Sequence, residues 1–426
     1  MKLLSIYVLN YNYGKYLKEC LDSIFTSSVK YQKDVEIVLI DDCSSDESPV
    51  IINEYKNKLD FVHVNSSNLG LVKSCNFIID KLSGKYILRI DADDFIEPNF
   101  IENYLLEIKD NSPDIIYSDY NLINNSSKKI SAYYKSNDSN HLEFDKPFHG
   151  AFTAIKKDFL NEINNYDEEF TRQDGYYIWI QAKINKKLIK HIKKTLFNYR
   201  QHRSSLSYDK RNLLNTRYDI NNKYLSKFVD LSSIKVIIPI ENDQFLSERI
   251  DLVNKYQTLP FNFVILISKE ALNRSENKIS VAQNIFIRED DNLTYIDDIN
   301  LYIEQNHIAD FLILEPNYPR LNLKSILDVL LLAKYNDYDI CFSAFIDTNS
   351  YLLNEGLALK PFNHTSKIRY ERNELYRIAG GIKYFKNHTI FNSYNFDLKP
   401  DIRIGHSEID EISAIRIQHS NNIINE

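Results

Sequence analysis

The first half of the chain alternates apolar segments with segments of helical spacing. Strand-like residues occupy 3–9, 35–40, 61–64 and 86–90, and helix-like spacing fills 16–25, 49–59 and 70–82 between them. Strands that are joined by helices and buried on both faces pair in parallel, so the pattern predicts an α/β domain built on a parallel sheet. Ligands of such sheets bind beyond the carboxyl ends of the strands.

Polar residues stand at three of those predicted ends. They are Asn10-Tyr11-Asn12, Asp41-Asp42-Cys43-Ser44 and Asp91-Ala92-Asp93-Asp94. Alternate residues of a strand share a face, so Asp91 and Asp93 can point at one hard divalent cation, and a cation held by only two carboxylates keeps positions open for diphosphate oxygens. A solvated acidic turn after a core strand is the alternative interpretation.

The bulk properties limit the class of protein. A length of 426 residues predicts two or three domains, and a net charge of -7 argues against a nucleic-acid binder. No stretch approaches the length of a membrane span, so we expect a cytoplasmic protein, and four scattered cysteines indicate reduced thiols. A helix over 211–227 precedes a second α/β series with strands at 234–239, 263–267, 310–314 and 339–343 and a helix at 323–334. We therefore predict domains 1–230 and 231–426.

In order and spacing, the strand-end motifs, together with Asn68-Leu69-Gly70 and Asn76, resemble the family-two inverting glycosyltransferases of GT-A fold over residues 3–207. The resemblance implies a metal-dependent hexosyltransferase. It would move a sugar from a nucleoside diphosphate donor, with a UDP-sugar as the preferred candidate, to a hydroxyl of a surface glycan or lipid-linked acceptor. The resemblance also allows a location at the inner face of the membrane.

The resemblance also assigns roles to residues. Donor binding falls to Leu9, Asn10, Asn12, Asp41, Asp42, Lys73, Asp91, Ala92 and Arg200. Asp91, Asp93 and His202 would hold Mg²⁺ or Mn²⁺ on the diphosphate. Asp174 would be the general base, in an acidic pair whose Glu is replaced by Gln173. Turn or helix-capping chemistry is the alternative for Asp41, Asp42 and Asp174, and a solvated helix face is the alternative for Lys73.

The C-terminal half resembles the nucleotidyltransferases that activate acidic nine-carbon sugars as CMP conjugates, through Pro239, Glu315, Gly380-Gly381 and Asp410. Glu241 and Asp243 stand where such enzymes carry a glycine-rich and basic phosphate loop, so we expect this domain to lack catalysis. Two alternatives to the transferase remain for the whole chain. One is a non-catalytic nucleotide-sugar binding or scaffolding protein, and the other is a bifunctional transferase and CMP-sugar synthetase.

Overall fold

The structure of the protein is a computed structural model. It describes residues 2–133, 150–202, 210–240, 246–256, 261–275, 285–288, 295–316, 318, 323–347, 352–354, 359–361, 375–386 and 404–408. The chain divides into two compact units, Met1–Asp209 with Ser350–Asn373, and Lys210–Asn349 with Glu374–Glu426. None of the helices in these described ranges is both long and apolar enough to cross a membrane.

The first unit is built on one large sheet. Its strands are β1 Leu4–Asn10, β2 Val35–Asp41, β3 Phe61–Val64, β4 Tyr86–Asp91, β5 Phe95–Ile96, β6 Ile115–Ile123, β7 Lys129–Tyr133, β8 Ala154–Lys156 and β9 Ile189–Arg200. Its helices are α1 Gly14–Ser28, α2 Ser48–Tyr55, α3 Leu71–Ile79, α4 Phe100–Asp110, α5 Lys157–Glu162 and α6 Asp174–Ile184. Every strand and helix predicted before residue 91 is confirmed.

The sheet is mixed rather than wholly parallel. Its strand order is β3-β2-β1-β4-β8-β6-β9-β5, with β7 paired to β6. β1 to β4 pair in parallel as predicted, whereas β8 lies antiparallel between β4 and β6, and β5 is antiparallel to β9. The predicted parallel pairing therefore holds for β1 to β4, and β6 and β9 are also parallel, whereas β5, β7 and β8 pair antiparallel with their neighbours in this sheet. The predicted α/β class is confirmed.

The register brings the predicted strand ends together. Asn10 pairs with Asp41 across β1 and β2, and Leu9 pairs with Asp91 across β1 and β4. A core of buried side chains from β1, β2, β4, α1 and α4 lies beneath this edge, among them Ile6, Leu88 and Phe100. The three polar motifs thus stand side by side at the rim of a tightly packed sheet.

A second sheet forms the second unit. Its strands are β10 Lys235–Ile240, β11 Asn262–Ser268, β12 Ile285–Arg288, β13 Phe311–Leu314, β14 Ile340–Asp347, β17 Leu375–Phe385 and β18 Ile404–Glu408, in the order β12-β11-β10-β13-β17-β14-β18. Its helices are α7 Lys210–Leu225, α8 Leu246–Tyr256, α9 Lys269–Arg274, α10 Tyr295–Asn306 and α11 Leu323–Asn336. A hairpin of β15 Leu352–Asn354 and β16 Leu359–Pro361 is grouped with the first unit.

Helix α7 packs within the second unit. Asn221 donates a buried hydrogen bond to Asp328 of α11 at 2.7 Å, and Lys324 of α11 forms an ion pair with Asp219 at 2.6 Å. The predicted boundary near residue 230 placed this helix in the first domain, whereas these contacts group it with the second. Of the residues that carried the nucleotidyltransferase resemblance, Glu241, Asp243 and Asp410 lie outside the described residues, and that resemblance stays a prediction.

Candidate active site

Asp41 organises the loop that follows β2. Its buried carboxylate accepts hydrogen bonds from Asn10 Nδ2 at 2.6 Å, from the Ser44 hydroxyl at 2.6 Å and from the Ser44 amide at 2.9 Å. Asn12 extends the same network, because its amide donates to Ser44 Oγ and its side-chain oxygen accepts from the amide of Ser45. Asn10, Asn12 and Asp41 are therefore one connected group, with Asn12 exposed at its outer edge.

Asp42 points into a different loop. Its carboxylate accepts from Asn65 Nδ2 at 2.7 Å and from the amides of Leu69 and Gly70, both at 2.8 Å. Gly70 has a φ of 83°, a conformation that side chains with a Cβ rarely adopt, and it leads directly into α3. Both carboxylates of the pair thus have the turn-forming role that the sequence left open. Base recognition by either one stays a prediction.

Three carboxylates crowd the end of β4. Burial raises the pKa of Asp91 to about 6, and the negative charges of Asp93 and Asp174 add to the rise while Arg89 opposes it. Burial also raises the pKa of Asp94 well above its usual range, again with the neighbouring carboxylates contributing. A raised pKa in a carboxylate means that its charged form lacks compensation, so this rim favours the arrival of positive charge.

His202 lies two residues after the end of β9 and contacts the same rim. Its Nε2 lies 2.8 Å from Asp93 Oδ2, and only 6% of the His202 side chain is exposed. The rings of Tyr13 and Tyr16 flank the imidazole, with centroid distances of 5.6 and 6.1 Å. Asp93 and His202, both predicted as metal ligands, therefore contact each other directly, and the metal-binding role of each stays a prediction.

Arg200 is buried beside the acidic motif rather than open to a ligand. Its Nε donates to the backbone carbonyl of Asp93 at 2.7 Å, and its own amide donates to Asp94 Oδ1 at 2.7 Å. The remaining guanidinium nitrogens contact Asn124, Ser127 and Glu19, and the whole residue is 1% exposed. The protein's own groups therefore engage the guanidinium, which holds the Asp93 and Asp94 backbone in place, and this differs from the donor contact that the resemblance implies.

Asp174 lies at the first residue of α6, where Gln173 has a left-handed φ of 59° and makes no side-chain cap. Asp174 Oδ2 forms an ion pair with Arg89 Nη1 at 2.6 Å, and Arg89 Nε lies 2.8 Å from Asp91 Oδ1. The predicted base and a predicted metal ligand therefore share one buried guanidinium. The sequence analysis missed Arg89, although a cation inside an apolar strand was a signal that could have found it.

Other predicted site residues have simpler positions. The carbonyl of Leu9 accepts a hydrogen bond from the Ala92 amide at 3.2 Å, so the two belong to the β1–β4 edge. Lys73 is exposed on α3, as its alternative interpretation predicted, and no hydrogen bond or ion pair joins it to the other predicted site residues. A role for Lys73 in donor binding stays a prediction.

Asp91, Asp93 and His202 are the residues that would hold Mg²⁺ or Mn²⁺ at the end of β4. Among the described residues, no three His, Cys, Asp or Glu side chains are gathered as a metal-binding group, so Asp91, Asp93 and His202 do not form a closed shell. A hard cation that takes one or two carboxylates and completes its shell with phosphate and water needs no such group. Asp94 Oδ2 is buried without a hydrogen-bond partner in the described ranges. The residues at this rim fit a cation shared with a diphosphate.

Comparison with known proteins relates the N-terminal part of the chain to glycosyltransferases. Residues 5–170 match the sequence model of glycosyl transferase family 2. The glycosyltransferase GlyA of Streptococcus pneumoniae is 28% identical over 222 residues, which are 48% of this chain and 31% of GlyA. GlyG of the same organism is 30% identical over 200 residues, 46% of this chain and 58% of GlyG. The chain thus spans less than two thirds of the length of either relative.

Among solved structures, Staphylococcus aureus TarS in complex with UDP aligns over 61% of this chain and 73% of that chain at 18% identity, with a TM-score of 0.44. That likeness is too low to carry an argument. The mixed α/β sheet of the first unit agrees with the predicted GT-A fold class. The N-terminal part of this chain is a domain of glycosyl transferase family 2.

Proposed function

We propose that the protein is a metal-dependent, inverting glycosyltransferase. It moves a sugar from a nucleoside diphosphate donor to a hydroxyl of a surface glycan. A UDP-sugar is the preferred candidate for the donor. The observation that carries the proposal is that Arg89 contacts both Asp91, at the carboxyl end of β4, and Asp174, at the first residue of α6. Residues 5–170, which include β4, match the family 2 model. The reaction needs one carboxylate that holds the cation on the donor and another that takes the proton of the acceptor. In this proposal Asp91 has the first role and Asp174 has the second.

The proposed reaction is a single displacement. Asp174 takes the proton of the acceptor hydroxyl, and the oxygen attacks the anomeric carbon from the face opposite the diphosphate. The bond between that carbon and the diphosphate oxygen breaks, and its electron pair leaves with the nucleoside diphosphate, so the anomeric configuration inverts. Mg²⁺ or Mn²⁺ held by Asp91 and Asp93 would neutralise charge on the departing diphosphate.

The ion pair with Arg89 suits Asp174 for this task. The planar guanidinium of Arg89, 2.6 Å from Asp174 Oδ2, fixes the orientation of the carboxylate that would receive the proton. With 13% of its side chain exposed, Asp174 lies close enough to the surface for an acceptor to approach. The neighbouring Arg89 is 5% exposed and is shielded from solvent.

Thermal shift of the purified full chain against UDP-, GDP-, dTDP- and CMP-sugars, with and without Mn²⁺, tests the proposal. A ligand at about 100 times its Kd stabilises the native state by about 2.7 kcal/mol, and we expect this only for nucleoside diphosphate sugars with metal. Asp93→Asn should abolish the shift, and Lys109→Met, a surface change in the same unit, should leave it intact. Absence of a shift with every nucleotide sugar, in the presence of Mn²⁺, would contradict the proposal.

A further inference from the structure

Arg89 is a charged residue in an otherwise apolar, buried strand. Its neighbours Ile87, Leu88 and Ile90 are all buried, and Arg89 itself is 5% exposed. Burying a guanidinium is costly unless ionic partners compensate it, and here two carboxylates do so. Burial lowers the pKa of Arg89, but Asp174 and Asp91 outweigh that effect and hold the pKa above its usual value.

Arg89 contacts one carboxylate on the donor side of the proposed site and one on the acceptor side. Nε faces Asp91 at 2.8 Å on the same strand, and Nη1 faces Asp174 at 2.6 Å across 85 residues of sequence. A guanidinium is planar and rigid, so two carboxylates bound to its different nitrogens are held at a fixed separation. Lysine, which has one flexible ammonium group, would not fix that separation.

Gly150 lies close to the Asp174 carboxylate. A Cβ added at Gly150 would lie 2.3 Å from Asp174 Oδ2 and 3.0 Å from the Gly175 amide. Gly150 therefore leaves room for the carboxylate only because it has no side chain. Asp174 Oδ2 thus lies close to both Arg89 Nη1 and the backbone of Gly150.

We propose that Arg89 is a positioning residue that fixes the general base Asp174 relative to the cation-binding carboxylate Asp91. This inference rests on the proposed function and extends it, because it couples the acceptor side of the site to the donor side. Arg89 touches neither sugar nor diphosphate. It acts through the placement of the two carboxylates, and a misplacement of about 1 Å can cost on the order of 10²-fold in rate.

A double-mutant cycle in kinetics tests the proposal. In the full chain, Arg89→Met should lower kcat on the order of 10²-fold with the donor KM changed less than about threefold, and Arg89→Lys should fall between. In an Asp174→Asn background the same Arg89→Met change should cost less than about threefold in kcat. The control is His191→Gln, which alters the contact of His191 Nε2 with Asp119 Oδ1 (2.8 Å) in the same unit and should leave kcat near wild type.

Gly150→Ala supplies a second route if Arg89→Met does not fold. Its new methyl group displaces Asp174 without removing a charge, so kcat should fall and the donor KM should not. Equal kcat losses from Arg89→Met in both backgrounds would overturn the proposal, as would a wild-type kcat in Gly150→Ala.

The urea midpoints of the same variants separate this proposal from the proposed function. If the wild-type chain transfers no sugar from any donor, the proposed function fails and the midpoints alone decide. A loss in the double variant smaller than the sum of the single losses would support the coupling of Arg89 to Asp174. Additive losses would overturn it.

Discussion

Arg200→Met should destabilise the first unit by about 3–5 kcal/mol. The change removes the donors to the buried carbonyls of Asp93 and Asn124, at 2.7 and 3.0 Å, and each unsatisfied acceptor costs about 1–3 kcal/mol. The stacking of the guanidinium on Tyr16, at 4.4 Å from the ring centroid, contributes about 0.5–1 kcal/mol more. Glu19 is 42% exposed, so water can replace its lost partner at little cost.

Urea unfolding followed by the fluorescence of Trp179 measures this loss. Trp179 is the single tryptophan of the chain and lies buried on α6, so its emission reports on the first unit rather than the second. With a urea m value of about 1–3 kcal/mol per molar, the midpoint should fall by roughly 1–5 M. Lys109→Met is the matched control, because Lys109 pairs with Asp34 at 2.9 Å while 49% exposed, and such pairs contribute about 0–1 kcal/mol.

The opposite pattern would refute the reasoning. If Arg200→Met unfolds within about 1 kcal/mol of the wild type yet loses donor binding, Arg200 contacts the diphosphate directly, as the family resemblance implies. If stability falls as expected, the buried hydrogen bonds of Arg200 dominate its role, and weaker donor binding follows from a displaced Asp93.

Four further predictions address the site and the second unit. Asp93→Asn should abolish metal-dependent donor binding and keep the wild-type circular dichroism spectrum, and full turnover in the presence of a chelator would contradict it. Asp174→Asn should lower kcat by a factor on the order of 10² to 10⁴ with an unchanged donor Kd by calorimetry, whereas lost donor binding would place Asp174 in the nucleotide site. Cys43, exposed at a φ of 66° beside Asp42, should react with a disulfide reagent faster than the three buried thiols, and bound donor should slow it. Pyrophosphate release from CTP and a free acidic sugar should be absent, and its detection would show an active second domain.

The parallel half of the first sheet was predictable because its signals are local. Runs of buried aliphatic residues fix each strand, and the following polar residues fix its end, so β1, β2 and β4 were predicted to within about one residue, even though prediction of such boundaries is commonly uncertain by 2–4 residues. The side-by-side placement of Asn10, Asp41 and Asp91 then follows from parallel pairing alone. Parallel pairing of β1, β2 and β4 is therefore the physical reason why these polar residues lie at one edge of the sheet.

The strands after β4 carried weaker signals. β8 has three residues, and β9, Ile189–Arg200, contains three lysines, of which Lys193 and Lys194 are exposed. Periodicity over such short or polar runs does not distinguish a strand from a loop. The position of β8 between β4 and β6 also depends on long-range pairing, which no local pattern encodes. The same limit applies to Arg200, whose burial depends on Asn124 and Glu19, far away in sequence.

Arg89 shows where sequence reasoning could have gone further and where it had to end. An arginine inside a strand of buried apolar residues must meet an anion, because an unpaired buried charge would cost several kcal/mol. That argument predicts a carboxylate partner from the sequence, and Asp91, two residues on and on the same face, is the local candidate. The second partner lies 85 residues away, at the start of a helix whose cap, Gln173, replaces the acidic residue expected there. With that glutamate absent, Asp174 alone carries the negative charge of the acidic pair, and one guanidinium then suffices to hold it opposite Asp91.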